Sequence, residues 1–300
     1  MIGLTSCCTF TMELPYLEAI WLFTRSDMKT IVFPQSIFGI TTAFAACTLH
    51  QPFIQYNALD WFMIRYPLAL IWTWLNLLPF NIFNQLSNAA INEDRINKPW
   101  RPLPSNRISQ KQAASLIWYI GGFRQSTFLL ILGIWYNVGG GADNDFLMRN
   151  IINAMGILSF GTGATEVALG SQLLMKRPLI QWIGILASVI SFTVQTQDLG
   201  DVEGDARRGR RTMPITIGDT NTRRLTVLFI LGFSVLCPVY WSLSWHIIAS
   251  LLLFGASISS RMMIYHTPED DKWTFLTWNI WLVCIYLLPL VRYMGFNCII

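Results

Sequence analysis

The chain alternates long apolar runs with short polar stretches, and several of the runs approach membrane-spanning length. A spanning helix needs about 20 mostly apolar residues. The candidates are 31–50, 62–83, 111–123, 127–139, 149–173, 179–197, 224–243, 245–262 and 273–294. The third and fourth are individually short. They could form one longer span, but Gly121, Gly122, Arg124 and Gln125 interrupt it. The pattern therefore allows eight or nine spans.

Loop charge decides between the counts. The stretch 84–111 carries Arg95, Lys98, Arg101, Arg107 and Lys111, and the stretch 198–224 carries Arg207, Arg208, Arg210, Arg211, Arg223 and Arg224. Positive loops favour the cytosol, and both share one side only if an even number of helices separates them. Nine spans satisfy this and eight do not. The N-terminus, with Arg25 and Lys29, is then cytosolic, and the C-terminus lies opposite. Arg124, Lys176 and Arg177 run against this sidedness. No linker divides the chain. The predicted architecture is an all-α integral membrane protein, a bundle of about nine transmembrane helices. It has a cytosolic segment over 1–30 and one transmembrane domain over 31–300.

Composition agrees. Of 300 residues, 53% are hydrophobic and only 13% charged, against about 25% charged in soluble domains. Thirteen Trp, 19 Phe and nine Tyr suit interfacial anchoring. The net charge of +4 lies in two loops and not on a basic face, which excludes nucleic acid as a partner. Cys7, Cys8, Cys47, Cys237, Cys284 and Cys298 have no metal spacing and read as small apolar residues. The first residues lack a basic n-region and contain Glu13 and Glu18, so no signal peptide is expected.

Two polar segments carry the candidate chemistry. The first, Asn84 to Arg107, reads NQLSNAAINEDRINKPWRPLPSNR. Asn84, Asn88 and Asn92 are spaced by four and would share a helical face. Glu93 and Asp94 follow, and Pro99 and Pro102 should end the helix near Asn97. The second, Gln195 to Asp219, places Asp198, Asp201 and Asp205 at i, i+3 and i+7, again on one face, with four arginines soon after. Gly200 and Gly204 would loosen that helix and let backbone approach a ligand. Clustered carboxylates repel unless a cation neutralises them. Mg²⁺ takes oxygen ligands and is commonly held by one or two carboxylates together with substrate phosphates. Arg and Lys balance the remaining phosphate charge. Metal and guanidinium fixed where a diphosphate leaves an allylic carbon would stabilise the transition state.

At these segments the chain resembles the UbiA superfamily of membrane prenyltransferases. The family's first motif, N-D-x-x-D-x-x-x-D with R-P-L-P farther on, is matched from Asn84, with Arg101, Pro102, Leu103 and Pro104 in register. Its second motif, D-x-x-D-x-x-x-D with a G-R-x-T-x-P-like tail, is matched by Asp198, Asp201, Asp205, Gly209, Arg210, Thr212 and Pro214. The first motif departs from the pattern: Gln85, Asn88 and Asn92 stand where acids are usual, and the acids are Glu93 and Asp94. On a continuous helix Asp94 would point away from the Asn84 face, so the helix must bend or unwind. The form E-D-R-I-N-K-P-W-R-P-L-P resembles a divergent fungal branch of secondary metabolism that contains transferases and a cyclase type.

The resemblance implies a barrel-like bundle of the transmembrane helices around a central cavity for the isoprenoid tail, Mg²⁺ as cofactor, a prenyl diphosphate and a small-molecule acceptor as substrates, and an endoplasmic-reticulum location with cytosolic active-site loops. Asp94, Asp198, Asp201 and Asp205 are the expected catalytic residues. With Asn84 and Asn88 they would hold the metal, and Lys29, Lys98, Arg101, Arg208 and Arg210 would hold the diphosphate. The leading expectation is prenyl transfer to an aromatic, quinone or pyrone-type acceptor. The alternative is terpene cyclisation of farnesyl diphosphate. A non-catalytic channel needs a polar lane across the bilayer, whereas the polar groups here lie at one end.

Other residues were weighed for the same chemistry. Glu166, within a span, is an intramembrane acid with a possible role toward an acceptor or cation. Asp143, Asp145 and Arg149 form a third cytosolic turn, read as solvated or touching an acceptor. His50, His246 and His266 are isolated. Trp118, Trp135, Tyr136, Phe192 and Trp278 read mainly as packing or lipid anchors, with one or two lining the cavity to shield a cation.

Overall fold

In a computed structural model, residues 14–48, 58–117, 124–170 and 177–295 are described, and all their regular structure is helical. Cys7, Cys8, Glu13, His50, Trp118, Gly121, Gly122, Lys176 and Cys298 lie outside the described residues, as do the side chains of Cys47, Arg124 and Gln125.

The helices follow the apolar runs. α1 (Leu14–Thr24) leads through a 3₁₀ turn, Arg25–Asp27, and a π turn, Met28–Val32, into α2 (Phe33–Thr48). α3 (Ala58–Gln85), α4 (Asn88–Asn97), α5 (Gln110–Ile117), α6 (Arg124–Asn137) and α7 (Phe146–Leu169) complete the first half. The second comprises α8 (Arg177–Thr193), α9 (Thr196–Leu199), α10 (Val202–Arg208), α11 (Met213–Ile217), α12 (Asp219–Tyr240), α13 (Trp245–Ile264) and α14 (Pro268–Tyr293). The sequence reading expects no helix over 14–24. Ala19, Ile20 and Phe23 of α1 are nevertheless buried against Leu78, Ile82, Leu103 and Leu116, so this short helix caps the α3–α5 corner.

α7 is the central post, packed against α2, α3, α6 and α8. Small residues bring it close to its neighbours, as in other membrane bundles. A Cβ at Gly161 would collide with Phe38, one at Gly163 with Trp72, and one at Gly39 with Ala164. α14 closes the bundle against α2, α9, α12 and α13. Trp278 donates to Thr193 Oγ1 at 3.0 Å and Trp281 to Ser234 Oγ at 2.9 Å, which satisfies each indole inside the apolar core.

The outer surface is apolar instead of charged. Leu253, Leu228 and Met63 are 71%, 63% and 63% exposed, the inverse of a water-soluble surface. Among the described residues, Arg177–Leu199, Asp219–Tyr240, Trp245–Ile264 and Pro268–Tyr293 are long and apolar enough to cross a membrane.

One polar clamp ties the second half together. Arg223 Nη1 and Nη2 each donate to one oxygen of Asp271 at 2.7 Å, and Arg223 Nε donates to Asp219 at 2.8 Å. Arg223 Nη1 also donates to the carbonyl of Met262 at 3.0 Å. α12, α13 and α14 thus meet on one guanidinium, and Arg223 is a packing residue outside the cavity described below.

Candidate active site

α3 does not run on into α4. It ends at Gln85, and Ser87 caps a new helix, its side chain accepting from Ala90 N at 3.1 Å. This break removes the shared face expected for Asn84, Asn88 and Asn92. Asn88 is exposed and accepts from Gln110 Nε2 at 3.0 Å. Asn92 is exposed and accepts from Arg95 at 3.1 Å. Neither lines the cavity, so the structure does not bring Asn88 together with Asn84 and Asp94 as the spacing predicts. The same break supplies the bend that Asp94 requires. α4 turns Ala90, Glu93, Asp94 and Asn97 toward the cavity and ends at Asn97, ahead of Pro99.

The second segment is also broken. α9 stops at Leu199, a turn covers Gly200 and Asp201, and α10 starts at Val202. Asp198, Asp201 and Asp205 still line one cavity, because the turn keeps them on its inner side. At Gly204 a Cβ would strike the Asn97 side chain, so this glycine sets the close approach of α10 to α4.

The cavity measures about 690 Å³, within the range of roughly 300–1,000 Å³ usual for small-molecule sites. Its mouth is a network of buried ion pairs joining the two segments. Glu93 accepts from Arg208 Nη1 at 3.0 Å and from Arg210 Nη1 at 2.7 Å. Arg210 Nη1 also donates to Asp205 Oδ1 at 2.8 Å and its Nε to Asp143 Oδ1 at 3.0 Å. Arg101 Nη1 donates to both oxygens of Asp94 at 2.8 and 2.9 Å. Lys98 stands 3.8 Å from Asp201 at the rim. Asn84 Oδ1 accepts from Asn137 Nδ2 at 2.5 Å. Lys29 also lines the mouth, with an exposed side chain.

Three residues of this mouth were underread from the sequence. Arg149, one turn into α7, is buried; its Nη2 donates to Asp198 Oδ1 at 2.9 Å and its Nη1 to the Tyr136 hydroxyl at 2.7 Å. Asp143 bridges Arg208 and Arg210. Tyr136, read as a packing aromatic, lines the cavity. The available signal was an arginine just inside an apolar run, downstream of the Asp145 cap, where a solvated role is costly. Asp145 itself caps α7, accepting from Met148 N at 2.9 Å. Glu166 sits beyond the cavity, near the far end of α7.

Below the mouth the walls become apolar: Leu77, Phe80, Leu132, Ile157, Phe160, Phe275 and Trp278. Among the aromatics of the spans, Trp278 lines the chamber, whereas Trp135 and Phe192 face outward, 40% and 43% exposed.

The mouth is short of counter-charge in one respect. Asp198 Oδ2 and Asp205 Oδ2 are buried without a partner, as are both amide atoms of Gln85. Burial pushes the Asp205 carboxyl up to about 6, helped by Asp198 and opposed by Arg149 and Arg210. Burial likewise raises Asp94, against the pull of Arg101 and Lys98. Unmatched, buried carboxylate oxygens fit a hard divalent cation. Among the described residues no three acidic, His or Cys side chains group tightly enough to hold a metal by themselves. Mg²⁺ held there would need substrate phosphates and amide oxygens to complete its shell.

A helical bundle with an apolar outer face and a charged mouth above an apolar chamber is the form of a membrane enzyme. The UbiA prenyltransferase family profile matches residues 53–283, and the chain belongs to that family of integral membrane enzymes. It is 26% identical over 296 residues to the fumagillin β-trans-bergamotene synthase of Aspergillus fumigatus, covering 93% of this chain and 94% of that one. It is 25% identical over 285 residues to the somaliensene A/B synthase of Streptomyces somaliensis, covering 87% and 88%. The fold matches a UbiA homologue from Archaeoglobus fulgidus bound to geranyl diphosphate and Mg²⁺, with a TM-score of 0.59 and 14% identity over 92% of this chain and 99% of that one.

Proposed function

We propose that the chain is a Mg²⁺-dependent enzyme that ionises a prenyl diphosphate at the polar mouth and holds the allylic cation in the apolar chamber. The observation that carries this is the pair of unpartnered, buried oxygens, Asp198 Oδ2 and Asp205 Oδ2, above aromatic and aliphatic walls. Mg²⁺ bound there would neutralise carboxylate and diphosphate together and stabilise the charge that develops on the leaving group. Asn84, Asp94, Asp198, Asp201 and Asp205 are the proposed ligand residues, with the unpaired Gln85 amide added. Lys29, Lys98, Arg101, Arg208 and Arg210 would take the phosphates, and Arg149 joins them through its bond to Asp198. Several of these guanidiniums are committed to carboxylates in this structure. Substrate phosphates would compete for the same donors while the carboxylates turn to the metal. The aromatic side chains of Phe80, Phe160, Phe275 and Trp278 would border the cation and exclude water from it.

The favoured fate of the cation is capture by the substrate's own double bonds, that is, terpene cyclisation. The walls carry the amides Asn153 and Asn279, and the one further acid among the described lining residues outside the two segments, Asp27, already accepts from Asn81 Nδ2 at 2.6 Å. The two relatives named above, matched over most of their length, are terpene synthases by name. Transfer to an aromatic, quinone or pyrone-type acceptor is the second reading, supported by the prenyltransferase family to which the chain belongs. In either case α2, α3, α5, α6, α7, α8, α12, α13 and α14 would be the nine spans of one domain over 31–300. The mouth would face the cytosol, in the endoplasmic reticulum.

The test is incubation of membranes bearing the protein with geranyl, farnesyl or geranylgeranyl diphosphate and Mg²⁺, without acceptor. A cyclic hydrocarbon is expected. Consumption only after an acceptor is added selects transfer, and no consumption under either condition removes both readings.

A further inference from the structure

On α7 the residues lining the cavity are Arg149, Ile152, Asn153, Gly156, Ile157 and Phe160, one continuous helical face. Gly156 is unlike the other glycines of this helix described above. Gly161 and Gly163 are small because Phe38 and Trp72 occupy the space a side chain would need. A Cβ at Gly156 would meet nothing within 4 Å, yet the residue is buried and lines the cavity. Packing against protein therefore does not require glycine there, and glycine inside a helix is less favourable than alanine. The unfilled volume belongs to the ligand chamber. Gly156 lies seven residues below Arg149, about 10 Å at 1.5 Å per residue. That is deeper than the first isoprene unit of a chain whose diphosphate sits at the mouth.

We infer that Gly156 is the specificity-determining residue for prenyl chain length, its missing side chain making the hollow that receives the second and later isoprene units. The inference rests on the prenyl-diphosphate reading of the site. Ile152, Ile157 and Phe160 flank the hollow on the same helix, so a side chain at 156 would project between them into the path of the chain. An added methylene in such a pocket shifts selectivity by roughly 10–200-fold.

The experiment uses the full chain in detergent or lipid discs with Mg²⁺. It compares wild type, Gly156→Ala and Gly156→Leu on dimethylallyl, geranyl, farnesyl and geranylgeranyl diphosphates, and records melting temperatures. Expected is a fall of at least tenfold in kcat/KM for the longest accepted chain relative to the shortest in Gly156→Leu. Gly156→Ala should move the same way by less, with no drop in melting temperature. Should Gly156→Leu fail to fold, the Ala variant decides by the same ratio. An active wild type whose length ratio is unchanged in the variants, or variants that lose all chains by one common factor, overturns the role of Gly156 while leaving the site reading intact. A wild type inert toward every chain overturns the site reading, and this inference with it.

Discussion

Glu93 Oε1 accepts from Arg210 Nη1 at 2.7 Å, a contact between residues 117 apart in sequence. Its other oxygen accepts from Arg208, so one carboxylate fastens the α4 segment to the loop after α10. With the Gly204–Asn97 contact it sets the separation of the two sides of the mouth, and hence how far Asp94 stands from Asp198 and Asp205.

Replacing Glu93 with Gln should therefore affect both stability and turnover. Removing one member of a buried pair commonly costs about 3–5 kcal/mol, because the remaining charge is left uncompensated. The expected outcome is a lower melting temperature in detergent and at least a tenfold loss of prenyl diphosphate consumption. A variant that melts and turns over like wild type would show that Glu93 does not hold the mouth together.

The carboxylates and amides of the two segments should separate cleanly by mutation. Asp198→Ala and Asp205→Ala each remove a buried oxygen that has no protein partner. Each should lower turnover by about 10²–10³-fold, the scale of losing a preorganised electrostatic group. Asn88→Ala should stay within twofold of wild type, since Asn88 is exposed and bonded to Gln110. Consumption of labelled prenyl diphosphate measures all three, and equal losses at Asn88 and Asp198 would contradict the kinked helix.

Asp205 predicts a pH dependence of the metal-free protein. Burial pushes its carboxyl from an ordinary 3.8 up to about 6. The folded state then binds this proton more tightly than the unfolded chain, so the group's contribution to stability falls as pH rises from 3.8 to about 6, by linkage. In EDTA, wild type should lose melting temperature relative to Asp205→Asn across that window and keep a constant difference above it. A difference that stays flat from pH 4 to 7 would be the contrary result.

The Arg223–Asp271 pair should behave as structure and not as chemistry. Both side chains are 2% exposed, so Asp271→Asn is expected to cost about 3–5 kcal/mol. Arg261–Asp270, at 30% exposure on both sides, should cost at most about 1 kcal/mol when broken. Thermal unfolding of Asp271→Asn and Asp270→Asn gives the comparison, and similar shifts for the two would refute the distinction.

Much of the helical plan was legible in the apolar runs. The predicted spans 224–243, 245–262 and 273–294 correspond to α12, α13 and α14, because burial in a bilayer selects long uninterrupted apolar stretches. α12 and α14 begin earlier than their runs, since Asp219 and the Thr267 cap start them in polar surroundings that hydropathy does not register. α1 was missed for the complementary reason: it is too short to span and is buried by α3, α5 and the connection before α5. Arg149 was underread because its partner, Asp198, lies 49 residues away, and no local spacing reports such a pair.

The one-dimensional pattern settled the all-helical class, the two acidic–basic segments and the need for a bend before Asp94. These follow from local rules: side-chain period, proline geometry and the cost of charge in an apolar environment. Tertiary structure decided that Asn88 faces away while Asp94 faces in, that Arg149 completes the mouth, and that Gly156 opens into a hollow. Those outcomes depend on one capping serine at the α3–α4 break and on how distant helices pack, and neither is encoded within reach of a single segment.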